Sequence, residues 1–475
     1  MSFDEVREKM YKKKKLTQIV VCIKSFTHCM FRYLKQLIMG PPTVIVIVGT
    51  TGVGKSQFSI ELAKRFNGEI INADSMQMYR DVPIITNKHP IAERFGIPHH
   101  VMNHIDWDQE YFIHRFEKEA NQAIEDIVSR GKIPIIVGGT HYYLNSLLFN
   151  NKTIRNGNNG DSDKNESLTP EQIKILDGPS DTVFEILKQK DPKIAEKFHP
   201  NDTRRIRRAL EIVLLTNRKT SEHYADQKIN TQSTLRFKTL PFWIYSEKSI
   251  LDKRLDGRVD NMLKNGGIDE IQELYEYYSN SPVKPDCERG VWQVIGFKEF
   301  LPWLEGGCSD DKSLEAAILD MKTKTRQYAK RQIKWIKNTL AIDLAKESSF
   351  QNVNGGKLYV LEATDLEKWK ENVYERGIKI TELFLNNQNN VPQLPDTLKG
   401  LIPTDQYKSD GEDFKTSQWE HITCEICRNA DSTPLVLVGS KQYDIHLKSN
   451  RHRSNLQRGK RKREYEEWLA KKVGH

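Results

Sequence analysis

Gly49, Thr50, Thr51, Gly52, Val53, Gly54, Lys55 and Ser56 fit G-x-x-x-x-G-K-[ST], the spacing of a loop that surrounds phosphate oxygens. The glycines let backbone N–H groups turn inward, and a helix N-terminus behind them adds partial positive charge. Lys55 would neutralise a terminal phosphate and Ser56 would ligate Mg2+. The loop specifies phosphate, but neither the compound nor the reaction.

Four further constellations can carry chemistry. Asp74, Ser75, Met76 and Gln77 follow an apolar run, where a carboxylate serves as metal ligand or general base and, equally, as an Asx-turn or helix cap. Arg204, Arg205, Ile206, Arg207 and Arg208 crowd four cations onto one predicted helix. Their repulsion calls for anions, phosphates being the natural partner, against the alternative of a solvated basic face. In the stretch 322–335, Lys322, Arg326, Lys330, Arg331 and Lys334 alternate with Tyr328 and Trp335. That composition suits a nucleic-acid backbone, although both rings would fit core contacts as well. Cys424 and Cys427, then His446 and His452, form a C-x2-C, x18, H-x5-H set. These are four ligands for a closed, structural Zn2+ site, with wider spacings than in DNA-reading fingers.

The elements that must position these groups follow from patterning. Residues 44–48 read as a buried parallel strand and 57–65 as a helix, the setting a phosphate loop needs. Strands at 68–72 and 133–137 flank a helix at 112–130, so a parallel α/β sheet is expected. Ligands should then gather beyond the strand C-terminal ends, where the loop, Asp74 to Gln77 and Gly138 to Thr140 all sit. Residues 151–182 read as a flexible insertion, and the pattern from 183 to 342 as largely helical. Residues 388–416 read as a linker before a small module at 417–475.

A chain of 475 residues with net charge +9 is long enough for several domains, and its basic residues are uneven. Residues 9–42 hold eight Lys/Arg and no Asp or Glu, and basic residues dominate again from Lys441. Basic ends favour a polyanion partner. Six cysteines with one C-x-x-C point to metal in a reducing compartment rather than a disulfide framework. No apolar run approaches the ~18–20 residues of a spanning helix, so no membrane partner is expected. The basic 1–42 extension partly fits a mitochondrial presequence although Arg is scarce, and Met39 offers a second start. The compartments expected are cytoplasm and mitochondrion, with the nucleus open.

Taken together, the segments 49–56, 74–79, 85–88, 98–100, 138–144, 199–211, 295–299 and 326–332 resemble, in order, the motifs of the tRNA dimethylallyltransferases. The likeness runs from about residue 43 to 339. The 417–475 module looks like the matrin/U1-type finger of the eukaryotic members. The resemblance implies transfer of a dimethylallyl group from dimethylallyl diphosphate, with Mg2+, to the exocyclic amine of the adenosine at tRNA position 37. That base lies 3′ of the anticodon, in tRNAs reading codons that begin with U. It further implies Asp74 as the base, Thr51 and Arg208 near the diphosphate, and Gln77 and Thr140 on the target nucleotide. The Arg204–Arg208 helix would line the site, and 183–300 with 322–335 would grip the anticodon stem. A monomer is expected, with 301–387 a helical return to the core. His141 is assigned no role. Three alternatives remain at this level: a small-molecule kinase, prenyl transfer to free adenylate, and an RNA-binding protein with an inactive loop.

Overall fold

The computed structural model describes residues 40–150, 152, 168–228, 234–348, 355–388, 398, 400–401, 420–429 and 432–473. The presequence-like segment 1–39, residues 151 and 153–167 of the expected insertion, and nearly all of the linker lie outside them. The chain divides into two compact units, 1–150 with 232–404 and 151–231 with 405–475.

In chain order the first unit opens with β1 (Thr43–Gly49), α1 (Lys55–Phe66), β2 (Gly68–Asn72), β3 (His99–His100), α2 (Ile113–Ser129), β4 (Ile133–Val137) and α3 (His141–Leu148). The second unit supplies α4 (Pro170–Leu176), α5 (Ser180–Lys190), α6 (Thr203–Thr216) and α7 (Thr220–Lys228). The first resumes with β5 (Lys238–Tyr245), α8 (Lys248–Met262), α9 (Ile268–Asn280), α10 (Phe297–Glu305), α11 (Asp311–Trp335), α12 (Ala341–Glu347), β6 (Tyr359–Glu362) and α13 (Arg376–Leu385). The second ends with β7 (His421–Arg428), β8 (Pro434–Val438), α14 (Ser440–Leu447) and α15 (Asn450–Val473).

Six strands of the first unit form one sheet, ordered β3-β2-β4-β1-β5-β6, with every pair parallel. A parallel sheet covered on both faces needs strands apolar on both sides. The β-branched run of β1 meets that need: Val44, Val46 and Val48 enter one core, and Ile45 and Ile47 the other. The order places β2, β4 and β1 side by side, so the loops after them share one edge.

Two strands correct the expectation of helix from 183 to 387. β5 lies inside the presumed insertion and β6 inside the presumed helical return. Phe242, Trp243 and Ile244 of β5 are fully buried, and each such side chain contributes about 1.5–3 kcal/mol on leaving water. Pro241 within β5 and the four-residue length of β6 hid both from periodicity. In the second unit, 168–182 is not loop throughout: Thr169 caps α4 through a reciprocal capping box with Gln172. Among the described residues no helix is long and apolar enough to cross a membrane.

Candidate active site

Gly54 opens α1 with φ +88°, a left-handed conformation that glycine adopts without strain. A Cβ at Gly54 would also stand 2.5 Å from the Trp369 ring. The Trp369 Nε1–H donates to Glu61 Oε1 at 3.2 Å, so the indole is held against the outer side of the phosphate loop. On the other side, the Thr51 N–H donates to Gln332 Oε1 at 2.9 Å, and Gln332 Nε2 donates to the Gly139 carbonyl at 3.0 Å. One glutamine of α11 thereby ties the loop after β1 to the loop after β4. Lys55 Nζ reaches back to the Thr50 carbonyl at 2.7 Å, and the Thr50 hydroxyl is buried without a hydrogen-bond partner. That orphaned oxygen, the Ser56 hydroxyl and the Asp74 carboxyl are hard oxygen donors of the class that Mg2+ takes.

Asp74 is placed by its neighbours. Asn72 Oδ1 accepts from Asp74 N at 3.1 Å, and Asn72 Nδ2 donates to the Asp74 and Val101 carbonyls. Asp74 Oδ1 accepts from Met76 N at 3.2 Å and caps the turn Ser75–Met78. The Asx-turn and the functional reading therefore coexist, because Asp74 Oδ2 remains directed at Gly139. A Cβ on Gly139 would stand 3.2 Å from Asp74 Oδ2, 3.3 Å from the Tyr328 hydroxyl and 2.5 Å from Gln332 Nε2. Only glycine leaves that space open. Thr140 Oγ1 accepts from Ser75 N at 3.0 Å and lies 3.1 Å from Ser75 Oγ, whereas the Gln77 amide donates to the Thr86 and Asn87 carbonyls.

Arg258 is the residue that sequence reasoning missed. It is half-buried on α8, where Leu251, Leu255 and Val259 face the core. A Cβ at Gly52 would stand 3.8 Å from its Nη1. An arginine one position from an apolar stripe was the available signal. Burial pushes the Asp74 carboxyl upward, with Lys55 and Arg258 pulling against it. Burial likewise pushes Lys55 down to about 8 and Arg258 down to about 10, Asp74 opposing both shifts. One half-buried carboxylate thus stands with two half-buried cations beside a glycine-rich loop, an arrangement suited to proton abstraction next to a departing phosphate.

A pH dependence follows. Burial penalises the ammonium, so Lys55 is charged below about 8 and neutral above it. Only the charged form pairs with phosphate. The Kd of a diphosphate ester is expected to rise about tenfold per pH unit above that value, until the pKa of Lys55 in the complex is reached. Lys55→Met should flatten the profile. Calorimetric titration between pH 7 and 9.5 measures this, and a constant Kd would remove the ammonium from the site.

The basic stretches are less free than their sequence suggests. Lys322 pairs with Asp260 at 2.6 Å and Arg326 with Asp256, both on α8. Tyr328 donates to the Gly139 carbonyl at 3.1 Å, so it and Gln332 build the site, while Lys330, Arg331 and Lys334 are exposed. His141, assigned no role, is buried and stacks on Trp335 with centroids 5.0 Å apart. Burial pushes its imidazole down to about 3.

In the second unit, Arg207 pairs with Asp177 at 2.8 Å, Arg208 with Glu211 at 3.0 Å and Arg205 with Asp202. The repulsion among the arginines is therefore met largely by carboxylates of the chain itself. Among the described residues, Arg204 is the one of the four without an ion pair. Ile206 is buried.

Cys424, Cys427, His446 and His452 present four donor atoms, all within 4.8 Å of one another. His446 Nε2 is 3.3 Å from Cys424 Sγ, His452 Nδ1 is 3.5 and 3.7 Å from the two sulfurs, and the two nitrogens are 3.1 Å apart. A tetrahedron with Zn–S near 2.3 Å and Zn–N near 2.0 Å has edges of about 3.3–3.8 Å, so the donor set fits. The β7–β8 pair that carries the two cysteines is bonded to the residues leading into α6. His199 Nε2 bonds the Val436 carbonyl of β8 at 2.9 Å while its Nδ1 accepts from Asn201 N, and His421 Nε2 of β7 bonds the Phe198 carbonyl at 2.9 Å.

Comparison with known proteins adds the following. A family profile described as IPP transferase matches residues 77–339, and one described as Isopentenyl transferase matches residues 42–96. The chain is 51% identical to the tRNA dimethylallyltransferase of Saccharomyces cerevisiae over 90% of its own length and 95% of that protein. It is 32% identical to the tRNA dimethylallyltransferase of Homo sapiens over 88% of its length and 86% of that protein. A crystal structure of a eukaryotic dimethylallyltransferase acting on tRNA matches with TM-score 0.74 at 51% identity, covering 90% of this chain and all of that one.

Proposed function

Because the chain belongs to the IPP transferase family of tRNA dimethylallyltransferases, we propose that the site around Asp74 prenylates the exocyclic amine of adenosine 37 in tRNA. The observation that carries this is the convergence of Asp74, Lys55 and Arg258 at the adjacent ends of β1, β2 and β4.

The adenine amine is a poor nucleophile because its lone pair is delocalised into the ring. As its nitrogen forms a bond to C1 of the dimethylallyl group, the C1–O bond breaks and the electron pair leaves with diphosphate. Asp74 takes the amine proton, and its upward-shifted carboxyl is suited to hold it. Lys55 and the N–H groups of residues 49–56 hold the departing diphosphate, and Arg258 offsets its growing charge. Arg208, which the resemblance also places near the diphosphate, pairs with Glu211 on its own helix. Mg2+ would be held at Ser56 and Asp74 and would supply further charge neutralisation. Thr140, placed against Ser75, and Gln77 frame the entry of a base splayed from its loop. Arg204, Lys330 and Arg331 remain the exposed cations for the RNA backbone. Zn2+ is the metal for the Cys/His cluster, in a structural role.

The experiment uses purified protein, Mg2+ and dimethylallyl diphosphate. A tRNA with adenosines at the last anticodon position and the two following is offered, AMP is offered separately, and products are read by nucleoside mass spectrometry. Prenyl-adenosine from the tRNA at position 37 is the expected result. Product from AMP alone, or consumption of ATP with no prenylation, would overturn the reading.

A further inference from the structure

Lys88 carries a charge into the interior of the first unit. It keeps 8% of its surface in solvent, and among the described residues it makes no ion pair. Its ammonium is held by dipoles instead: Nζ donates to the Tyr79 carbonyl and to Asn103 Oδ1, the latter at 2.8 Å. Burial pushes it down to about 8, with Glu270 and Asp81 opposing. A buried ammonium with no carboxylate against it is costly, and an unbranched apolar side chain would fill the same space without that cost.

The bonds of Lys88 close a frame around Gln77. The Gln77 amide spends its two hydrogens on the Thr86 and Asn87 carbonyls, at 3.2 and 3.0 Å. Asn87 immediately precedes Lys88. The Gln77 carbonyl accepts from Asn103 N at 3.0 Å, and Asn103 is the residue whose side chain Lys88 binds. Tyr79, the other partner of Lys88, ends the turn that Asp74 caps. Lys88 therefore joins the three segments that hold Gln77 by its side chain, its carbonyl and the chain after it. The loop 83–88 is fixed at its other end by Glu270 of α9, which accepts from the N–H groups of Ile84 and Ile85 at 2.8 and 2.9 Å. Gln77 shares its turn with Asp74, whose carbonyl accepts from Gln77 N at 3.2 Å. A shift of the frame would move the amide relative to the Asp74 carboxyl, and a misplacement of about 1 Å can cost about a hundredfold in rate.

We propose that Lys88 is a positioning residue for prenyl transfer, which acts by holding Gln77 in place beside the Asp74 carboxyl. The proposal rests on the reading above, in which Gln77 meets the target nucleotide.

The test uses the full-length protein with Mg2+, dimethylallyl diphosphate and the same tRNA. Lys88→Met keeps the length of the side chain and removes the charge with both bonds. Its single-turnover rate per donor-binding site, with donor and tRNA saturating, is expected to fall about tenfold to hundredfold. The Kd of the donor and that of tRNA should stay within about threefold, since phosphate contacts carry most of the RNA affinity. Asn103→Gly removes one partner of Lys88 and keeps the left-handed backbone that Asn103 adopts at φ 56°. It should lower the same rate about threefold to tenfold, the worth of one hydrogen bond. Gln77→Leu supplies the comparison that identifies the route. In that background Lys88→Met should cost less than about threefold, because a residue acting through the Gln77 amide loses its effect once the amide is gone. A Lys88 that only stabilises the fold would lower the melting temperature and the fraction of protein that binds donor, with the rate per donor-binding site unchanged. That result, or losses that multiply fully in the double variant, would overturn the proposal. Should Lys88→Met fail to fold, Asn103→Gly in the same two backgrounds decides by the same criterion. A wild-type protein that prenylates no tRNA would overturn the enzymatic reading and this proposal with it, whereas an active wild type with unaffected variants overturns this proposal alone.

Discussion

Asp74→Asn is expected to lower the turnover of prenyl transfer about 10²–10⁴-fold at saturating donor and tRNA, the usual effect of losing a positioned general base. The substitution is nearly isosteric. Its amide oxygen can still accept from Met76 N, as Oδ1 does now, and Asn72 would still hold the backbone, so the fold and the tRNA Kd should survive. Losing the carboxylate also removes the charge that supports the Lys55 ammonium. The pH at which diphosphate binding weakens should therefore fall below about 8. Single-turnover kinetics with both substrates bound isolate the chemical step, and tRNA affinity is measured separately. Turnover within about threefold of wild type would exclude Asp74 as the base. A loss of tRNA binding with normal chemistry at saturation would make it an RNA contact.

Cys424→Ser, or a chelator acting on the Zn2+ proposed for the cluster, has the second large effect expected. Structural zinc in small modules contributes apparent binding free energies of about 10–16 kcal/mol, so losing one thiolate should unfold the β7–β8 module. Two histidines join that module to the chain ahead of α6. Amide exchange should accordingly rise at residues 421–428 and 434–438 and also around Phe198 to Arg205. Amides of β1 and β4, in the other unit, should keep their protection. Faster exchange confined to the finger would show that the two histidine bonds do not hold α6 in place.

The parts legible from sequence were those whose partners are local or whose pattern is extreme. The β1 run, the glycine loop and α1 form one contiguous signal. Asp74 and Gly138 to Thr140 could be brought together with it because they end strands of the same parallel sheet. The Cys and His spacing led directly to the cluster. What stayed hidden depends on distant residues. Asp256 and Asp260 offset Arg326 and Lys322 from another helix, so a row of charges that looked open to RNA is partly closed. Gln332 and Tyr328 lie in that same stretch, yet they tie down the loops after β1 and β4 through bonds spanning 281 and 189 residues of chain. Arg258 needs the fold to bring it near Asp74. For α6 the sequence held more than periodicity alone revealed, because Asp202 and Glu211 stand within one turn of their arginines.

The second unit is assembled from residues 151–231 and 405–475, and its seam bonds join residues 223 and 237 positions apart. That separation sets the order of events at the ribosome. The α5–α6 helices emerge early but cannot be braced until the last segment of the chain is released. The sheet, by contrast, needs only residues up to β6. Ring closure over such a length adds little free-energy penalty, since the cost grows only logarithmically. A chain ending before the finger would hold a finished sheet and phosphate loop in one unit and, in the other, an α6 whose leading residues Phe198 and His199 lack their bonds to His421 and Val436.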